Sequence, residues 1–342
     1  MSDVRVGIAG YGVAGEVFHA PLVDAVEGLE VAGIVTSSPE RRERARAAYP
    51  GAAVVADLDA LWDHIDVLVV AAPNRAHVPL ALAALERELA VVVDKPLAPS
   101  AAEAERLVAA GGALTVFQNR RWDGDFLTVR RLVSEGALGQ VVRFESRFER
   151  FRPDVQGDRW RELPDAAEGG GLLLDLGPHL VDQARELFGQ PLRVYAEVRA
   201  LRPGAQVDDD VFIALEHGGG VRSQLWASMV APLAGPRFRV SGRRAGFATD
   251  GLDPQEPQLR AGRRPRDPDY GHGRDGVVVE TGGERRVRLE RGSYQVFYER
   301  VRDWLRGDGP VPVDPADGLA GLRVLEAARR SAAQQTVVEV QA

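Results

Sequence analysis

The tightest constraint on this chain is six residues long. A Val-, Ile- and Ala-rich run at residues 4–9 leads straight into GYGVAG, with glycine at 10, 12 and 15, and a helical pattern follows. Each glycine has its own physical reason. Gly10 permits a tight turn, Gly12 lets backbone approach a pyrophosphate, and Gly15 lets a helix pack closely on a strand. The helix N-terminus then offers unpaired N–H groups and a positive dipole end to an anion. Glycine-rich turns are common, so context decides. The strand before, the helix after and a second strand from Glu30 all fit a dinucleotide-binding unit. Gly10, Gly12, Val13 and Ala14 are the expected phosphate-side contacts.

The rest of the first third supports a Rossmann domain over residues 1–118. Short apolar runs at 4–9, 30–35, 67–72, 90–93 and 114–117 are near-continuous, as strands covered on both faces are. Helical spacing at 76–86 and 100–110 separates the later ones, and Ser100 with Glu103 reads as a capping box. Such alternation predicts an α/β fold with a doubly wound parallel sheet. After Phe117 the texture changes. In VVRFESRFERF, residues 141–151, Val142, Phe144, Ser146 and Phe148 share one face, and Arg143, Glu145, Arg147 and Glu149 the other. Further strand-like runs at 192–200, 211–217, 221–229, 237–241, 277–280 and 286–289 predict a second, α+β domain over 119–342. Its sheet is expected to be large and mostly antiparallel, with helices on one face. Residues 253–276 read as a long loop, and 294–305 and 318–331 as closing helices, with a C-terminal helix expected to pack back on the first domain.

Composition narrows the function. With 342 residues and no cysteine, disulfides, cysteine-ligated zinc, iron–sulfur clusters and thiol catalysis are excluded. A formal net charge of -7 disfavours a general nucleic-acid binder, whose affinity rests on neutralising phosphates. No apolar run approaches the roughly 20 residues of a membrane helix. The opening MSDVRVGIAG lacks a signal-peptide pattern, so a cytoplasmic protein is expected.

Three further places carry chemistry. After the second strand come Thr36, Ser37, Ser38, Arg41 and Arg42, with no carboxylate at the first three. A carboxylate there would accept from a ribose 2′-OH; hydroxyls and arginines suit a 2′-phosphate, hence NADP over NAD. A Ser-Pro helix start with a solvated basic face is the plainer account. Asp94-Lys95-Pro96 follows the fourth of these runs, at the sheet edge where ligands bind. Pro96 biases Lys95 to an extended backbone from which it can enter the crevice; by itself an ordinary turn would account for it. Gly169–Gly171 precede Asp175 and His179, which share a face if the segment is helical. Histidine is the natural general base near neutral pH, although such pairs are often only surface contacts, and Pro178 can kink the segment.

Together GYGVAG, DKP and DLGPH resemble the glucose–fructose oxidoreductase/inositol dehydrogenase (Gfo/Idh/MocA) family. Residues 72–77, APNRAH, resemble its nicotinamide-side loop, and residues 10–22 and 119–126 resemble a branch that includes NADP-type scyllo-inositol 2-dehydrogenases. The resemblance implies hydride transfer between NAD(P) and a secondary alcohol of a cyclitol or sugar. It implies that His179 is the base, Lys95 the cation at the reacting oxygen and Asp175 the orienting carboxylate, with no metal. It adds Pro73, Asn74, His77, Asp94, Pro96 and Trp122 to the cofactor contacts. Arg120, Arg121, Arg159 and Trp160 become candidate substrate contacts, with ordinary packing an equal account of them. One departure is Asp94, where the family pattern has glutamate. A homodimer or homotetramer through the second domain's sheet is implied as well. Two rival readings stand: a relative that oxidises transiently to cleave a glycoside, and a non-catalytic dinucleotide sensor.

Overall fold

A computed structural model describes residues 3–155, 162 and 169–341. The chain divides into two compact units. The first gathers Met1–Trp122, Pro254–Gly271 and Ser293–Leu319; the second gathers Asp123–Asp253, His272–Gly292 and Ala320–Ala342.

The first unit is built on six strands: β1 (Val4–Ala9), β2 (Leu29–Val35), β3 (Ala53–Val55), β4 (Val67–Val70), β5 (Ala90–Asp94) and β6 (Leu114–Phe117). Their order is β3-β2-β1-β4-β5-β6 and every pairing is parallel. The order reverses between β1 and β4, the switch point where such sheets bind ligands. All four residues of β4 are fully buried, each worth about 1.5–3 kcal/mol as an upper estimate. A π-helical turn, Ala14–His19, runs into α1 (Ala20–Asp24), which packs on β2. Ser38 caps α2 (Pro39–Ala48), and Pro39 opens it where no N–H is needed. α3 (His77–Leu85) covers β4 and β5. Ser100 Oγ caps α4 (Ala101–Ala109) by accepting from Glu103 N–H at 3.3 Å, as the capping box predicts. The helix Gln295–Leu305 completes this unit and sets Phe297 and Tyr298 against Phe117.

The second unit carries a nine-stranded sheet of β7 (Val141–Glu149), β8 (Pro191–Arg199), β9 (Asp210–His217), β10 (Arg222–Ser228), β11 (Phe238–Gly242), β12 (Ala245–Thr249), β13 (Gly276–Glu280), β14 (Gly283–Val287) and β15 (Val338–Glu339). The order is β14-β13-β12-β11-β7-β10-β9-β8-β15; β7 and β10 run parallel and all other neighbours antiparallel. α5 (Gly124–Ser134), α6 (Leu172–Asp175) and α7 (Gly177–Phe188) belong to this unit, and α6 and α7 pack on the sheet. The α/β plus mostly antiparallel α+β architecture is the one the patterning predicts.

Several local expectations need correcting. β3, β12 and β15 were not foreseen: β3 and β15 have three and two residues, and AGFAT in β12 is too small-sided to read as an apolar run. The 253–276 segment contains a helix, Gln255–Arg260. Residues 286–289 are not a strand in themselves, because the turn at Thr281 and Gly282 starts β14 at Gly283, paired with Glu280. On β7, Val142 is exposed at the strand's start, whereas Glu145 is buried between Arg143 and Arg147. Among the described residues no helix is long and apolar enough to cross a membrane.

Candidate functional site

At the carboxyl end of β1 the three fingerprint glycines separate by what surrounds them. Gly10 has φ +106°, and a β-carbon there would collide with the Ala71 carbonyl. A β-carbon at Gly15 would collide with the Gly10 carbonyl. The protein itself explains both glycines. Gly12 is different: a β-carbon there would meet open space, with Arg41 Nη1 the nearest atom at 3.8 Å. Internal packing does not call for glycine at 12, and the open space there has room for a ligand to approach the backbone. The first helical turn has no side-chain cap at Val13, so its N–H groups suit an anion. The site fits a dinucleotide.

The turn after β2 is held by its own residues. Arg42 Nη1 donates to the carbonyls of Thr36 and Ser37, both at 2.9 Å. Thr36 is buried, and its N–H donates to Val55 O at 3.0 Å. Ser38 Oγ accepts from Arg41 N–H at 3.3 Å, which leaves its hydroxyl proton available. The helix-start account therefore holds for Ser38 and Arg42, while Arg41 is the arginine beside the glycine loop.

The loop after β4 contains Pro73 and a buried Asn74. His77, 1% exposed, has Nδ1 2.8 Å from Pro96 O and Nε2 3.0 Å from Ala72 O. Burial, opposed by Asp94 and the two carbonyls, pushes its pKa below the ordinary value. A neutral ring has one N–H and donates to only one of the two carbonyls, but its position packs the β4 loop against the turn after β5.

In that turn the Lys95–Pro96 bond is cis, and Asp94 Oδ1 accepts from Lys95 N–H at 2.9 Å. Burial would raise the Asp94 carboxyl. The His19 side chain, then Lys95 and His77, outweigh it and hold the carboxyl below its usual range. Lys95 is also the single lysine among 43 basic residues, the other 42 being arginine. A chain that uses arginine everywhere else keeps, here alone, the compact ammonium that arginine's planar fork does not reproduce.

Residues 119–122 form a buried turn. Arg120 Nη2 pairs with Glu256 Oε2 at 3.2 Å and Arg121 Nη2 with Asp317 Oδ2 at 2.9 Å. Trp122 is 3% exposed and packs edge-on against Phe297 at 5.7 Å. These contacts favour packing roles for all three. Arg159 and Trp160 lie outside the described residues.

In the second unit the segment around Asp175 is two helices. α6 ends at Asp175, Leu176 breaks the run, and α7 restarts with Pro178 in its first turn, where proline is tolerated. The proline thus marks a new start and not a kink within one helix. Asp175 and His179 are both buried, at 8% and 5% exposure. Gly171, φ +91°, is required because a β-carbon would collide with Asp208. Asp208 Oδ2 accepts from Leu173 N–H at 2.7 Å and caps α6, while burial raises its pKa. One turn beyond His179, Gln183 Oε1 accepts from Arg237 Nη2 at 2.9 Å. Arg237 is buried over the rings of Phe148 and Phe238, 4.0 Å from each. The Phe148 ring lies 6.4 Å from that of His179. His179 thus sits on a well-fixed helix.

Two residues escaped sequence reasoning. His19 and Tyr298 meet at 2.5 Å across a separation of 279 residues, next to Asp94. No local spacing joins them; the only signal is a histidine inside the otherwise apolar run 17–23.

Comparison with known proteins covers nearly the whole chain. Residues 4–113 match the family model described as "Oxidoreductase family, NAD-binding Rossmann fold", and residues 130–340 its companion, "Oxidoreductase family, C-terminal alpha/beta domain". The oxidoreductase YdgJ of Escherichia coli is 42% identical over 97% of both chains. The scyllo-inositol 2-dehydrogenase (NADP(+)) IolW of Bacillus subtilis is 34% identical over 99% of this chain and 96% of its own. Among solved structures, the YPO2259 oxidoreductase of Yersinia pestis superposes with a TM-score of 0.93 at 38% identity, covering 100% of this chain and 98% of that one.

Proposed function

The chain belongs to the Gfo/Idh/MocA oxidoreductase family, and on that premise we propose that it moves hydride between NADP and a secondary alcohol of a cyclitol or sugar. An NAD(P)-binding oxidoreductase is what the family is; the polyol, the preference for NADP and the residue roles are our reading. The observation that carries it is Lys95, the single lysine, at the carboxyl edge of the sheet that bears the glycine loop. The bound nicotinamide supplies the carbon that accepts or returns hydride. His179 takes the hydroxyl proton as the alcohol is oxidised. The Lys95 ammonium stabilises the developing alkoxide, and Asp175 orients the base or a substrate hydroxyl.

The NADP preference rests on Arg41 beside Gly12 and on the absence of a carboxylate at Thr36, Ser37 or Ser38. The name of the Bacillus subtilis relative makes inositols the first substrates to try. A panel of inositols and sugars, assayed for NADPH and NADH formation, tests the reading. Reduction of NADP with an inositol is the expected result. Sugar release without net reduced cofactor, or binding without turnover, would overturn it.

We also infer a homodimer or homotetramer through the sheet face opposite α6 and α7. That face presents Arg147, Trp226, Phe212 and Glu197 in register across β7, β10, β9 and β8. The Arg147 guanidinium lies 3.9 Å from the Trp226 ring centroid, and the Phe212 ring packs against Trp226 at a tilt, 5.1 Å between centroids. Aromatic and arginine side chains at the centre of a sheet face are the usual anchors of protein interfaces.

A further inference from the structure

We propose that Tyr298, His19 and Asp94 form a buried chain that positions the Lys95 turn, with His19 as its central positioning residue. The inference rests on the reading of Lys95 as the cation at the reacting oxygen. His19 is the last residue of the π-helical turn that begins just beyond Gly12, and it is 0% exposed. π-turns inside helices are frequent at functional sites. Its ring packs on Phe117 at 4.5 Å. A phenylalanine or leucine would fill that pocket without burying two polar nitrogens, so packing alone does not call for histidine.

The hydrogen bonds set its tautomer. Tyr298 is fully buried, and burial, then the Asp94 charge, push its phenol pKa well above 10.0. The phenol stays protonated, and we assign it as the donor to His19 Nδ1, 2.5 Å away. With Nδ1 accepting, the ring carries a proton on Nε2, which faces Asp94 Oδ1 at 3.7 Å. That distance is beyond a hydrogen bond; the contact is one of dipole and charge. The same Oδ1 accepts the Lys95 backbone N–H. One oxygen therefore answers to both His19 and Lys95, and a displaced carboxylate displaces the lysine. The titratable groups facing this chain are Asp94, Tyr298, His77 and Lys95.

The two nitrogens can be tested separately. His19→Gln keeps a donor toward Asp94, His19→Asn keeps only a group toward Tyr298, and His19→Phe keeps neither but preserves the ring. In Phe and Asn, kcat should fall about 10-fold while the cofactor KM stays within about twofold. Gln should stay within about twofold of the parent in both. Tyr298→Phe should act in the same direction and cost nothing further on top of His19→Phe, as members of one chain do.

A second readout needs neither cofactor nor substrate. Because Lys95 is the single lysine, amine acylation followed by peptide mass analysis reports on it directly. In the apo chain a lysine released from its place should acylate about threefold faster in Phe and Asn, and at the parental rate in Gln. Unchanged labelling in His19→Phe overturns the proposal. So does a Gln variant impaired as much as Phe, with losses that follow the melting temperature. If the Phe variant does not fold, the Gln–Asn contrast decides. A failed polyol panel alongside altered labelling would reject the substrate reading and leave the positioning chain standing.

Discussion

Arg41 Nη1 lies 3.8 Å from where a β-carbon on Gly12 would stand, whereas its neighbour Arg42 is bound to the carbonyls of Thr36 and Ser37. Sequence alone offers both arginines for a 2′-phosphate. The geometry leaves Arg41 the better placed of the two. Arg41→Ala should raise the KM for NADP about 10-fold and leave that for NAD nearly unchanged, one charge-assisted contact being worth about 1.5–3 kcal/mol. Arg42→Ala loosens the turn that both cofactors use and should affect them alike. kcat/KM with each cofactor on one polyol checks this; equal losses from both substitutions would remove Arg41 from the phosphate.

The fingerprint glycines should fail in different ways. Gly15→Ala must displace the Gly10 backbone and should cost about 1–3 kcal/mol of stability. Gly12→Ala has room, so its melting temperature should hold while cofactor affinity drops about 10-fold or more. Thermal melts with and without NADPH separate the two. A Gly12→Ala protein that binds normally would show that the open space is not the cofactor's.

Lys95→Ala should lose about 100-fold in kcat, in line with a lost oxyanion donor, with cofactor affinity little changed. Lys95→Arg should recover little of this, because a planar guanidinium does not replace a compact ammonium. Near-normal turnover in either variant would remove Lys95 from the chemistry.

His77 makes stability depend on pH. Its folded pKa lies below the 6.5 of the free ring, so the unfolded chain binds the proton more readily. Stability is full above about 6.5 and falls as pH drops below it, by at most about 1.4 kcal/mol per pH unit from this group. His217, also lowered by burial, adds to the slope in the second unit. His77→Gln should flatten the acid side of a plot of melting temperature against pH. An unchanged slope would mean that other groups set it.

Trp226→Glu places a carboxylate at the centre of the proposed interface and should reduce the mass seen by light scattering to that of a monomer. A parent protein already monomeric at micromolar concentration would dismiss the interface.

What could be read beforehand follows physical range. The strands of the first unit are legible because each is a short run buried on both faces, as Val67–Val70 shows. Gly10, Gly12, Lys95, Asp175 and His179 are legible because each motif is local. The π-turn is not, since nothing in AGEVFH distinguishes it from an ordinary helix. Nor are the commitments of Arg42, Arg120 and Arg121, which depend on where a carbonyl or carboxylate arrives from elsewhere in the chain.

The nucleotide-binding unit is assembled from three stretches of chain, and this gives its formation a schedule. Tyr298 reaches His19, Val313 O accepts from Thr115 Oγ1 and Gly318 closes on Leu97 only after these late residues exist. On a ribosome making about 5–20 residues per second, the interval between Trp122 and Leu319 is roughly 10–40 s. For that time the strands of the six-stranded sheet exist without the late residues that cover them. The first unit therefore cannot be completed until much of the second has been made, although its sheet comes first in the sequence.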